Sequence, residues 1–130
     1  MTTRTATCSC GQIRVTVTGD PIRISVCHCL ACQQRTGSAF GFQARWPRDR
    51  VTIEGEASVW RRVGDEGTQM DFRFCPQCGA TVWWAQDGAP DIAVAAGAFA
   101  DPAFPPPNFS VYEERRHAWV TLPDGVDRMF

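Results

Sequence analysis

The sequence is short of what several function classes need. It has only two histidines, His28 and His117, so no histidine-rich tract supports a metal site. Charge is nearly balanced at −1, which leaves no broad positive field for nucleic acid or an anionic membrane. No apolar run approaches the ~18 residues of a membrane span. The N-terminal Met-Thr-Thr-Arg-Thr-Ala-Thr lacks the apolar stretch of a secretory signal. There is no internal repeat and no low-complexity tail. These absences predict a single domain over residues 1–130, in the cytoplasm, where structural disulfides are rare. A hydrophobic share of 44% is that of an ordinary globular core.

What is present is cysteine. Seven residues fall into Cys8-Ser-Cys10-Gly11, Cys27-His-Cys29-Leu-Ala-Cys32 and Cys75-Pro-Gln-Cys78-Gly79. An odd count leaves one thiol unpaired, and a bridge inside Cys8-x-Cys10 or Cys27-x-Cys29 would close a small strained ring. Cross-cluster bridges stay geometrically possible, but metal ligation is the favoured reading. Cys75-x-x-Cys78-Gly79 has the form of a zinc knuckle, a turn that points two sulfurs at one ion. Cys8 and Cys10 are its expected partners, because i and i+2 residues of an extended chain share a face. Four thiolates suit zinc, and the site is read as structural.

Cys27, Cys29 and Cys32 are one ligand short. Cys27 and Cys29 share a strand face, and Cys32 comes round on the first turn of a helix. Water, a histidine or an exogenous thiol must complete a tetrahedron there, and zinc with an exchangeable position is how catalytic zinc is held. His28 is expected to point to the opposite strand face and to pack behind the site. His117 is expected at the surface.

The chain reads mainly as strand. Alternation predicts strands over 12–18, 22–26, 38–46, 51–53, 58–63, 68–74 and 81–84, with a buried run at 92–96 and a last strand at 111–112. Gly64-Asp-Glu-Gly67 signals a hairpin loop. Helix is confined to 30–36, closed by Gly37 as a left-handed cap. Residues 101–108 form a proline-rich extended connector laid on the surface.

The order Cys-x-Cys-Gly, Cys-His-Cys-x-x-Cys, Phe-Cys-x-x-Cys-Gly, with Gly37-Ser-Ala-Phe40 and Trp119-Val-Thr-Leu-Pro-Asp-Gly125, resembles the glutathione-dependent formaldehyde-activating enzyme family, also called the GFA or CENP-V domain family. The resemblance implies a mainly β, Mss4-like fold of small curved antiparallel sheets stapled by zinc. It implies a structural zinc on Cys8, Cys10, Cys75 and Cys78 and a labile catalytic zinc on Cys27, Cys29 and Cys32. The implied activity is carbon–sulfur lyase-type: a small thiol such as glutathione adds, as thiolate, to formaldehyde or another small aldehyde. The alternatives are a zinc-stabilised binding or chaperone module on the same scaffold, and a thiol redox enzyme.

Other residues are weighed more simply. The five tryptophans are expected in the core or on sheet faces, with adjacent Trp83 and Trp84 on opposite sides. An exposed tryptophan on a sheet edge would favour a homodimer. Phe40, Phe42 and Trp46 are expected as an apolar wall beside the open metal position. Gln33, Gln34 and Arg35 are expected near it. Arg61-Arg62 and Arg115-Arg116 read as solvated charge, with one pair available to a substrate carboxylate.

Overall fold

The computed structural model describes residues 1–64 and 66–130. It is mainly β. Strands β1 (Thr3–Thr7), β2 (Arg14–Thr18) and β5 (Val51–Glu54) form a small antiparallel sheet in the order β1-β2-β5. The second sheet has eight strands. Its order runs from β11 (Asp127–Arg128) through β10 (Phe109–Val111), β3 (Arg23–Cys27), β4 (Gly41–Pro47), β9 (Asp91–Ala95), β8 (Thr81–Gln86) and β7 (Gln69–Phe74) to β6 (Ser58–Val63). All its pairings are antiparallel except those of β10, which runs parallel to both β3 and β11.

The expected strands form to within a few residues, and the differences have local causes. The strand expected from residue 38 starts at Gly41, because the turn after the helix occupies the intervening positions. β1 was hidden because Thr3–Thr7 alternates only weakly, with Ala6 its one buried residue. Val111 closes β10, and Tyr112 turns left-handed (φ 56°) instead of extending it. Asp65, in the expected hairpin loop, lies outside the described residues; the flanking strands pair from Ser58↔Phe74 to Val63↔Gln69.

Helix α1 (Leu30–Thr36) has the predicted bounds, and Gly37 sits at φ 63° as its cap. Its N–H bonds to Gln33 O at 2.9 Å, a left-handed closure that a β-carbon disfavours.

The main core lies between the two sheets. Ala6, Ile13, Val15 and Val17 meet Ile24, Ala44, Trp46, Ile92 and Val94. The connector at 101–108 is pinned by Phe104, which stacks on Phe99 at 5.0 Å and meets Phe42 edge-on at 6.1 Å. Strand alternation sends Trp83 toward this core and Trp84 to a second cluster with Phe72 and Ala93 on the sheet's other face. Trp46 and Trp84 are buried, and Trp60, 52% exposed, lies on the face of β6 with its ring 5.8 Å from that of Phe72, whereas Trp119, 72% exposed, lies in no strand, against the expectation of core or sheet face. Among the described residues, no helix is long and apolar enough to cross a membrane.

Candidate metal centres

All seven cysteines are free thiols, gathered into two groups. In the first, the sulfurs of Cys8, Cys10, Cys75 and Cys78 lie within 4.8 Å of one another. Cys8 and Cys10 stand 3.7 Å apart, and Cys10 and Cys75 3.6 Å. Four sulfurs at tetrahedral zinc with ~2.3 Å bonds would be about 3.8 Å apart, so this donor set fits the ion. Cys8 and Cys10 do not share a strand face as expected. Cys8 opens the turn after β1 and Cys10 lies within it, where Gly11 N bonds to Cys8 O at 3.0 Å, and the turn brings the sulfurs together instead.

The knuckle follows β7. A register shift between Arg73 and Phe74 breaks the ladder just before Cys75, the kind of irregularity that re-aims a side chain. Backbone N–H groups of Gln77 and Cys78 reach Cys75 Sγ at 3.3 and 3.5 Å, and Ile13 N reaches Cys8 Sγ at 3.3 Å. Donors aimed at sulfur favour thiolate. Burial pushes the Cys75 thiol up, but the Cys78 and Gln77 N–H groups and the Gln12 side-chain amide outweigh it and hold the pKa at about 6. Cys8 and Cys75 are buried and Cys10 and Cys78 exposed, so the centre is solvent-accessible on one side.

The second group is Cys27, Cys29 and Cys32, again within 4.8 Å. Cys27 ends β3, Cys29 is the N-cap of α1, and Cys32 lies on its first turn. Cys29 Sγ accepts from Cys32 N at 3.3 Å. Hydrogen bonds from the Cys27 and Cys32 thiols, set against burial, hold Cys29 down at about 2. The same sharing, with the bond to Cys29 foremost, pushes Cys27 upward. A soft divalent ion would replace the shared protons.

Neither histidine joins either group. His28 is fully buried, its Nε2 3.0 Å from Ser110 Oγ and 3.3 Å from Glu113 Oε2. Ser110 donates a short hydrogen bond to Glu113, which also takes Arg128 Nη1 at 2.7 Å. His28 Nδ1 is buried without a protein partner. An orphaned lone pair costs less than an orphaned N–H, which assigns the proton to Nε2. Burial, offset in part by Glu113, lowers the His28 pKa and keeps the ring neutral. His28 thus packs behind the site, anchoring β3 to β10. His117 is exposed, edge-on to Trp119 at 6.0 Å.

Gln33 fastens the helix. Its amide donates to His28 O at 2.8 Å and Arg115 O at 3.1 Å, and its Oε1 lies 2.8 Å from His117 Nε2. Arg35 lies over Trp84 at 4.4 Å and Phe72 at 5.1 Å, with Nη2 3.7 Å from Cys32 Sγ. Gln34 is exposed. Arg61 is spent on Asp71 and Asp87 at 2.8 and 3.2 Å, as solvated charge. Arg116 Nε lies 3.5 Å from Glu113.

The apolar wall of Phe40, Phe42 and Trp46 does not form. β4 alternates, so Phe42 and Trp46 face the main core, where Trp46 Nε1 donates to Gly19 O at 3.0 Å. Phe40 instead meets His28 edge-on at 6.0 Å. Sequence reasoning missed Gly41, Ser110, Glu113 and Arg128. Only Gly41, beside the cysteine motif, carried a local signal.

Comparison with known proteins agrees with this geometry. No curated protein matches the chain. A crystal structure of a Rhodobacter sphaeroides protein, 16% identical, shares the fold at a TM-score of 0.57, over 97% of this chain and 99% of that one. A family model described as glutathione-dependent formaldehyde-activating enzyme matches residues 3–115, a span that contains both cysteine groups. By that match, the chain belongs to the glutathione-dependent formaldehyde-activating enzyme family.

Proposed function

We propose that the chain, as one domain over residues 1–130, is a zinc-dependent enzyme that joins a small thiol, glutathione or a close relative, to formaldehyde or another small aldehyde. Cys8, Cys10, Cys75 and Cys78 hold a structural zinc, and Cys27, Cys29 and Cys32 hold a second with one position open. The observation that carries this reading is the asymmetry of the two groups. One has four sulfurs, the other has three, and the imidazole beside the three is turned away and engaged.

A zinc ion in the three-cysteine group would offer the substrate thiol a site where it binds as thiolate. Three cysteine sulfurs leave such an ion electron-rich, which suits presenting a thiolate better than polarising a carbonyl. Gln33 holds α1 so that Cys29 and Cys32 stay convergent. Arg35 sets a positive charge beside Cys32 and offsets the negative charge gathered there. In the reaction the thiol sulfur bonds to the carbonyl carbon, and the proton lost by the thiol ends on the new hydroxyl. Holding both reactants together supplies much of the effect.

Metal analysis tests the reading. Zinc-loaded protein is expected to hold two ions, one stripped first by a mild chelator, and Cys29→Ser is expected to remove that one alone. In the cobalt-substituted protein, glutathione is expected to shift the thiolate-to-cobalt bands. One zinc per chain regardless of Cys29, or bands indifferent to glutathione, would sink the proposal.

A further inference from the structure

β6 forms one edge of the eight-stranded sheet and pairs with β7 alone. The opposite edge, β11, is Asp127–Arg128 and too short to offer a ladder. Natural sheets blunt a long edge with lysine, proline or a bulge. β6 has none of these. It reads Ser-Val-Trp-Arg-Arg-Val and keeps unbroken register with β7 from Ser58↔Phe74 to Val63↔Gln69. Val59, Trp60 and Val63 on it are exposed.

The backbone of this edge is open in a regular way. Gly64 N bonds to Thr68 O at 2.8 Å, and Asp87 N to Gln69 O at 3.1 Å. Gln69 thus turns its backbone groups toward β8, and Met70 turns its own toward β6. By alternation Trp60 and Arg62 turn theirs toward β7, whereas Val59, Arg61 and Val63 turn theirs away from the sheet. Among the described residues no strand receives them. Side chains alternate too. Trp60 and Arg62 lie on the face of Phe72 and Met70, and Val59, Arg61 and Val63 lie on the other.

We propose that β6 pairs with β6 of a second copy of this chain, antiparallel about a two-fold axis through Arg61, and so extends the sheet across a homodimer. Self-complementarity selects this occupant and this register. With Arg61 opposite the partner's Arg61, Val59 faces the partner's Val63, and Val63 faces the partner's Val59. Every outward-turned residue of β6 then exchanges N–H···O bonds with one that is also turned outward. On the other face each Trp60 meets the partner's Arg62, an arginine–indole contact repeated about the axis. The like-charge pair at the axis is already answered, because Arg61 is held within its own chain by Asp71 at 2.8 Å and Asp87 at 3.2 Å. Pairing Trp60 with the partner's Trp60 would instead set Val59 against the partner's Arg61 and leave Val63 beyond the end of the facing strand. The pairing also bears on the three-cysteine group. The bond from the Cys27 thiol does most to hold the Cys29 pKa down, and the charge of Arg62 adds to it, so the second copy's indole packs on a guanidinium that acts on Cys29.

Sedimentation equilibrium of the zinc-loaded protein tests this. The wild type is expected to show a monomer–dimer equilibrium. Val63→Pro removes an outward N–H and leaves the β7 ladder whole, since proline is tolerated at such an edge position. The bond is lost on both sides of the axis, so the dimer is expected to weaken about tenfold or more, with circular dichroism and zinc content unchanged. Val59→Lys, at an exposed position, sets a charge opposite the partner's Val63 and is expected to weaken the dimer even if the proline disturbs β6. Trp60→Glu sets a carboxylate opposite the partner's Arg62 and is expected to keep the dimer, whereas Trp60→Arg sets like charges there and is expected to dissociate it. A wild type that stays monomeric at its highest soluble concentration overturns the proposal and leaves the edge to a strand of another protein. A dimer indifferent to both valine variants places the contact elsewhere. Dissociation by Trp60→Glu overturns the register through Arg61.

Discussion

Gly41 stands opposite Cys27 in the β3–β4 ladder, and a β-carbon there would lie 3.3 Å from Cys32 Cβ and 3.0 Å from Arg35 Nη2. Its lack of a side chain lets the first turn of α1 settle against the sheet and bring Cys32 to Cys27.

Gly41→Val therefore tests how far the three-cysteine centre depends on that approach. Overpacking at such a point costs about 1–3 kcal/mol, to be relieved by lifting α1. Zinc affinity at Cys27, Cys29 and Cys32 is expected to fall by about tenfold or more, while the four-cysteine centre keeps its ion. Competition with a chromophoric chelator reads both centres in one titration.

The four-cysteine centre joins the turn after β1 to the knuckle after β7, with Cys10 and Cys75 65 positions apart in sequence. Cys75 is fully buried. A metal bound only in the folded state adds its binding energy to stability, and domains of this size hold only about 5–15 kcal/mol in total. Cys75→Ser is expected to unfold the protein or lower its Tm sharply, and strong chelation of the wild type to do the same. Cys29→Ser is expected to shift Tm little, because its group links only adjacent elements. Thermal melts of the three samples, with zinc content measured beside them, decide it.

The cysteine groups and α1 were legible because their signals are local. Cys75-x-x-Cys78 and Cys27-x-Cys29-x-x-Cys32 set sulfur positions within one turn or one strand end, and Gly37 marks its own cap. Strand order was not legible. That β10 lies parallel to β3 depends on where the chain goes after the proline-rich connector, and no alternation in residues 109–111 reports it. Glu113 shows the same limit. In a run of Glu113-Glu114-Arg115-Arg116 it reads as solvated, and its burial comes from Ser110, His28 and Arg128 meeting it from other elements. Arg23 and Arg45 read as ordinary alternation until the ladder register sets them face to face.

Glu113 carries a pH dependence of its own. Burial raises its pKa, but the Ser110 hydroxyl and then Arg128 outweigh burial and leave it below the usual 4.5. A carboxylate with a depressed folded pKa contributes stability that is fully present above its unfolded value. That contribution is lost as pH falls from about 4.5 through the lower folded value. Glu113→Gln is expected to cost about 1–3 kcal/mol at neutral pH. It is also expected to show a shallower loss below pH ~4.5 than the wild type. Denaturant melts of both proteins from neutral to acid pH give the difference, and parallel curves would remove Glu113 as its source.

Arg35 links the aromatic cluster to the three-cysteine centre. Its stacking on Trp84 and Phe72 is worth about 0.5–2 kcal/mol, and it places a guanidinium 3.7 Å from Cys32 Sγ. Arg35→Met retains much of the apolar contact with the rings and removes the charge. Arg35→Lys keeps a charge but loses the planar fork and its stacking. If charge beside sulfur is what matters, the methionine variant binds zinc at this centre several-fold more weakly, and lysine recovers part of that. If stacking is what matters, both variants weaken the site alike, and tryptophan fluorescence shifts in both. Zinc competition together with the emission spectrum separates the two, and the placement of Nη2 toward Cys32 predicts the first outcome.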